Sequence, residues 1–195
     1  MTLNTTAETE TAKIARGLRE RDMELLADLV ERCQHRLVRY LLYLTGRREY
    51  AEDLAQETWV RVLQRGDQYN GRQRLDPWLF AIARNLAIDY LRKKRKAVQT
   101  VSLPDDRDAM LLVPSSGPSP FEDAAQSEDA MRLASRLQIL PPLYREALLL
   151  RFQEDLSLLE IAQVVGVPAT TVSSRIYRGL AALRSAFEEG DSHGV

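Results

Sequence analysis

The stretch Leu156–Arg184, LSLLEIAQVVGVPATTVSSRIYRGLAALR, decides the fold class. Ile161 and Ala162 precede Gly166, and Val172 and Ile176 follow it. A small residue where two helices cross, a glycine at the turn and apolar residues beyond it make a helix-turn-helix. At about 100° per residue, Val172, Ile176, Leu180 and Leu183 fall on one side of the second helix. Thr170, Thr171, Ser174, Tyr177 and Arg178 fall on the other, with Ser173 and Arg175 flanking. From Gly166 to Arg184 there are three arginines and no acid. Cations suit phosphates, and hydroxyls and guanidiniums suit base edges in a major groove. A plain helical hairpin would share the apolar pattern; the acid-free stripe favours DNA.

Upstream, helical spacing continues. Leu25, Leu26, Leu29, Val30, Cys33, Leu37, Leu41 and Leu44 trace a long amphipathic helix ended by Gly46, and a second helix spans about 49–63. Residues 66–75 (GDQYNGRQRL) read as a loop. Asp76-Pro77 reads as a cap and first position for a helix to about Arg95, burying Leu79, Ile82, Ala83, Leu86 and Tyr90. Periodicity is lost over 103–121, which holds four prolines, and returns over about 124–140, 143–153, 156–165 and 169–186. The expected fold is all-α: two small helical domains joined by a flexible linker, the second containing the helix-turn-helix. The expected divisions are a disordered N-terminus over 1–12, a first domain over 13–97, a linker over 98–125, a second domain over 126–187 and a disordered tail over 188–195.

With 195 residues, 45% of them hydrophobic, the chain has apolar material for such cores. Its apolar runs are a few residues long, against the ~20 that cross a bilayer, so no membrane insertion is expected. Residues 1–12 carry no secretory pattern and Cys33 is the only cysteine, which excludes an intramolecular disulfide and points to the cytoplasm. Cys33 sits in an apolar stripe and reads as packing rather than redox sensing. The two histidines, His35 and His193, form no metal set, and no phosphate loop or nucleophile elbow is present. No catalytic residue, metal, cofactor or small-molecule substrate is expected, and hence no enzyme. The formal net charge of −1 hides a strong asymmetry: 84–96 carries a local +5 and 97–130 a local −6.

Two more faces carry chemistry. Trp78, Asn85 and Arg92 are seven apart and align on one side of their helix, away from its apolar stripe. An aromatic, an amide and a basic tail on one face are the parts of a single-strand binder. In AEDLAQETWVRVL, 51–63, Glu52, Asp53, Gln56 and Glu57 form an acidic and amide face beside the apolar stripe.

Together these stretches resemble the bacterial sigma-70 family of RNA polymerase sigma factors, specifically its extracytoplasmic-function group. AEDLAQETWVRVL is similar to that family's core-polymerase-binding helix, and DPWLFAIARNLAIDYLRKKRK to its minus-ten melting segment. LPPLYREALLLRFQEDLSLLEIAQVVGVPATTVSSRIYRGLAALR is similar to its minus-thirty-five reader. The match runs over about 20–97 and 126–187. It implies that Glu52, Asp53, Gln56 and Glu57 bind core polymerase, with Asp53, Gln56 and Glu57 facing clamp helices of the large subunit. It implies that residues 69–75 capture an extruded minus-ten base, with Phe80 and Asn85 lining the pocket. Tyr69, Asn70, Trp78, Phe80, Arg84, Asn85 and Arg92 are then the minus-ten set. Arg151, Thr170, Thr171, Ser173, Ser174, Arg175, Tyr177 and Arg178 are the minus-thirty-five set. The family commonly has Lys or Arg where this chain has Ser173, and a Phe-Arg-Gly start where its loop reads YNGRQRL. The implied partners are core RNA polymerase, promoter DNA and an anti-sigma factor, and the implied role is transcription initiation in a stress or envelope response. A free-standing helix-turn-helix regulator would give Trp78 and Asn85 no role, and a polymerase-binding scaffold would leave the acid-free helix unexplained.

Overall fold

The computed structural model describes residues 3–98, 136–137 and 139–191, and within them every regular element is helical. The chain divides into two compact units, Met1–Tyr90 and Leu91–Val195. The expected linker lies outside the described residues except for Val98, as do 126–135 of the expected second domain and 192–195 of the expected tail.

The first unit opens with α1, Leu3–Glu20. Residues 3–12, read above as part of a disordered N-terminus, lie in this helix. Ile14, Ala15 and Leu18 make a buried stripe on α1, and Glu10 holds Arg32 of the next helix at 3.0 Å. Tertiary cover of this kind, more than propensity, stabilises a helix. The chain breaks at Arg21, which has a positive φ, and restarts at α2, Met23–Thr45. Asp22 caps α2: its Oδ1 accepts from the backbone N–H groups of Glu24 (3.0 Å) and Leu25 (3.1 Å). α2 ends at Gly46, and α3, Arg48–Gln64, turns back against it. Leu37, Tyr40 and Leu41 of α2 and Ala51, Ala55 and Val62 of α3 are fully buried. Burial of each large side chain is worth about 1.5–3 kcal/mol. Trp59 Nε1 donates to Gln34 Oε1 at 2.6 Å, which satisfies the one polar atom of a buried ring.

A single 3-10 turn, Gly66–Gln68, leads through a loop to α4, Leu75–Val98. α4 starts before Pro77, so Asp76 lies in the first turn instead of capping it. Its carboxylate binds Arg36 of α2 at 2.6 Å and Arg74 at 3.4 Å. Pro77 is tolerated because first-turn N–H groups have no intrahelical acceptor.

In the second unit, α5 (Pro142–Leu148) widens into a π-type turn over Leu149–Gln153, closed by Glu154 N–H to Leu149 O at 3.2 Å. α6, Leu158–Val165, begins with a capping box between Ser157 and Glu160. Gly166, at φ 72°, makes the turn into α7, Ala169–Asp191. α7 thus runs past 188, where a disordered tail was expected. Leu137, Leu140 and Leu148 form a buried cluster to which Ile176 and Leu183 pack. Glu146 and Glu154 are buried acids in this unit, and both have interaction partners.

The break between α1 and α2 rests on one carboxylate. Asp22→Ala is expected to cost about 1 kcal/mol, while Asp22→Ser retains most of the wild-type stability. Thermal unfolding followed by circular dichroism checks this; equal stability of all three proteins would show that the cap carries no weight.

Candidate polymerase and nucleic-acid interfaces

The acidic face of α3 is open. Glu52, Asp53 and Gln56 are exposed and Glu57 is half-buried. Glu52 is engaged by Arg48 Nε at 2.8 Å and Glu57 by Arg61 Nε at 3.0 Å, both across one helical turn. Such exposed pairs are worth little and yield readily to a partner. Val60, exposed, lies one and two turns beyond Gln56 and Asp53 and adds an apolar contact to this face. Reading for charge passed over it; an apolar residue outside the buried stripe was its signal.

The expected minus-ten residues separate into a surface and a wall. Asn70 and Asn85 are exposed, and Trp78 and Arg92 are half-buried. Tyr69 is buried with its ring against Trp78, centroids 5.4 Å apart, and its hydroxyl donates to Gln73 O at 2.5 Å. Burial, then the charges of Asp76 and Glu10, push the Tyr69 phenol up to about 12. Asn70 Oδ1 accepts from Arg72 N–H at 3.0 Å and tightens the loop tip. The loop therefore holds its shape through its own bonds while Asn70, Arg72, Gln73 and Arg74 stay exposed.

Two residues of the expected minus-ten set are core: Phe80, which the resemblance places in the pocket, and Arg84. Phe80 is 1% exposed, edge-on to Tyr40 at 5.2 Å and capped by the Arg36 guanidinium at 5.6 Å. Arg84 is 2% exposed. At about 100° per residue Phe80 lies roughly opposite Trp78 and Asn85 on α4, and Arg84 about 100–120° from them, so all four cannot line one surface. The spacing Phe80, Arg84, Ala87, Ile88 marks the inner stripe that should have assigned them.

On α7 the open face is Thr170, Ser173, Ser174, Tyr177 and Arg178, with Thr171 half-buried; Tyr177 is 75% exposed. Arg175 is corrected to the buried side, at 9% exposed, and Leu180 to the open side. The reason is Gly179: a Cβ there would meet Leu148 Cδ1 at 3.0 Å and Tyr144 Cβ at 3.3 Å. α7 approaches α5 closely at Gly179, within an inward-facing helical stripe of Val172, Arg175, Ile176, Gly179 and Leu183, and Leu180 turns outward. Arg151 is half-buried and Nη1 donates to Leu156 O at 3.0 Å, bracing the turn before α6. Phe152 and Leu159 are exposed apolar residues on this unit that helical periodicity alone did not single out.

Cys33 is half-buried, and burial followed by the Asp76 charge raises its thiol pKa, which suits packing rather than reactivity. Among the described residues, no helix is long and apolar enough to cross a membrane, and no group of three His, Cys, Asp or Glu residues is placed to hold a metal ion.

Comparison with known proteins gives two matches along the chain. The family model for Sigma-70 region 2 matches residues 29–97, and that for Sigma-70 region 4 matches residues 130–183. The chain is 27% identical over 180 residues to the ECF RNA polymerase sigma factor SigW of Bacillus subtilis, covering 91% of this chain and 96% of SigW. It is 33% identical over 157 residues to SigM of the same organism, covering 78% of this chain and 88% of SigM. Its fold is similar to that of the sigma factor RpoE of Bartonella quintana, solved in complex with the anti-sigma factor NepR. The TM-score is 0.64 at 24% identity, covering 83% of this chain and 96% of that one. The chain belongs to the extracytoplasmic-function (ECF) group of the sigma-70 family of RNA polymerase sigma factors.

Proposed function

We propose that the faces described above divide the work of a sigma factor among them. The open face of α3, through Glu52, Asp53, Gln56, Glu57 and Val60, attaches the chain to core polymerase. The loop at 69–75, with Trp78, Asn85 and Arg92 of α4, traps unstacked minus-ten bases. α7, through Thr170, Thr171, Ser173, Ser174, Tyr177 and Arg178, reads the minus-thirty-five duplex, and Arg151 braces the turn before α6. Phe80, Arg84 and Arg175 support these surfaces from within. The chain is a transcription initiation factor, and melting uses no nucleotide energy: trapping a base offsets an unpairing cost of a few kcal/mol. It acts in the cytoplasm, in a stress or envelope response, restrained by an anti-sigma factor. The NepR complex of a structurally similar sigma factor supports that last partner.

The observation that carries this reading is the open face of α7 over 170–178, which holds no acid, with Tyr177 and Arg178 exposed while Val172, Ile176 and Arg175 turn inward. Arg178→Ala is expected to cost about 1–3 kcal/mol of upstream-element recognition, measured by holoenzyme binding to duplexes altered at single positions. A loss spread evenly over all sequences would instead make Arg178 a phosphate contact.

Attachment and melting should separate by mutation. Asp53→Arg sets like charge against the basic surface a clamp partner presents. It should abolish core binding while changing stability by no more than about half a kcal/mol, as exposed substitutions do. Trp78→Ala with Asn85→Ala should do the reverse. Once circular dichroism establishes that it folds, that variant should assemble with core polymerase, fail on closed duplex and recover on a template pre-melted over the minus-ten element. Wild-type opening of closed duplex by the double variant would remove both residues from the melting surface.

A further inference from the structure

The melting loop is built against a helix that has no assigned part in melting. Gly66 and Gly71 bracket Tyr69, and both are pressed onto α1. A Cβ on Gly66 would come within 2.6 Å of the Leu18 carbonyl oxygen. A Cβ on Gly71 would come within 2.8 Å of the Thr11 carbonyl oxygen and 2.9 Å of Ala15 Cβ. Thr11, Ala15 and Leu18 are spaced i, i+4, i+7, so they form one ridge of α1. Two of these three contacts are with backbone oxygen, which cannot swing aside as a side chain can. Gly71 also has φ +68°, so the loop crosses the ridge in a conformation that L-residues rarely adopt.

Other contacts hold the ridge and the loop at fixed separation. The Glu10–Arg32 pair ties α1 to α2, and Ile14 and Leu18 bury the rest of the ridge. The loop's exit is fixed by Asp76 on Arg36 and Arg74. With α1 behind it and Asp76 at its end, the segment carrying Asn70 has one place to stand.

We infer that α1 is the back wall of the base-capture loop, and that Gly66, Gly71 and Ala15 are positioning residues setting where the loop receives its base. The inference rests on the reading of residues 69–75 as the capture loop. A side chain at 71, or a larger one at 15, pushes the loop away from α1.

The test uses holoenzyme reconstituted from core polymerase and the full chain. The probe is a single-stranded oligonucleotide carrying the non-template minus-ten sequence, with each of the four bases at the captured position. Gly71→Ala and Ala15→Leu should each weaken oligonucleotide binding about tenfold, the size of one lost base stack, and flatten the preference among the four bases. Core-polymerase affinity and upstream-duplex binding should stay at wild-type values. The exposed-site control Lys13→Ala should leave base preference unchanged. Gly71→Asn separates strain from contact, because Asn tolerates a positive φ. It should behave as Gly71→Ala does if the wall is the cause. Folded Gly71→Asn and Ala15→Leu proteins that keep the wild-type base preference would overturn the inference, even if their melting temperatures fall. Absence of any base preference in the wild-type holoenzyme would instead overturn the capture reading, and the inference with it.

Discussion

The first unit depends on one carboxylate. Asp76 joins Arg36 of α2 to the first turn of α4, and it also holds Arg74 at the end of the loop. An acid there is favoured twice, by two guanidiniums and by the positive end of the helix dipole. The same Arg36 lies over Phe80, which packs on Tyr40, so the ion pair and the aromatic core are continuous. Where α4 starts, where the loop ends and which side of α4 faces solvent all follow from that junction. The partly buried geometry of the Arg36–Asp76 pair makes it worth more than an exposed one.

The second unit uses a different device for the same purpose. Gly179 lets α7 settle on Leu148 and Tyr144, and that closeness fixes the rotation of the recognition helix. Once Val172 and Gly179 face inward, Arg175 must follow them, and Ser173, Ser174, Tyr177 and Arg178 must face out. The ion pair in the first unit and the close approach at Gly179 in the second decide which polar residues are presented. Side-chain chemistry then decides what they can read.

Much of this was legible in the sequence, and the parts that were not have physical reasons. α2, α3 and the turn at Gly166 follow from apolar periodicity and end signals, and the structure places them within a residue or two of where the pattern does. α1 escaped because its stripe of Ile14, Ala15 and Leu18 is short and is covered by a loop whose two glycines say nothing about their partner. Phe80, Arg84 and Arg175 are buried: the resemblance alone supplies Phe80, and for the two arginines residue type outweighs helical angle in a reading by charge. Leu180 is the converse case, an apolar residue turned outward because its neighbour Gly179 makes the closer packing. The exposed members of each set, Asp53, Asn85 and Arg178 among them, lie where angle and chemistry agree.

The central claim is that this chain gives a promoter address to a polymerase rather than binding an operator alone. Run-off transcription with core polymerase, on a library of duplexes randomised around a start site, tests it most directly. The account predicts that adding the protein selects templates sharing two short elements at a fixed spacing, with transcripts starting just downstream. Selection of palindromic duplexes by the protein alone, with no transcript when core polymerase is added, would contradict it.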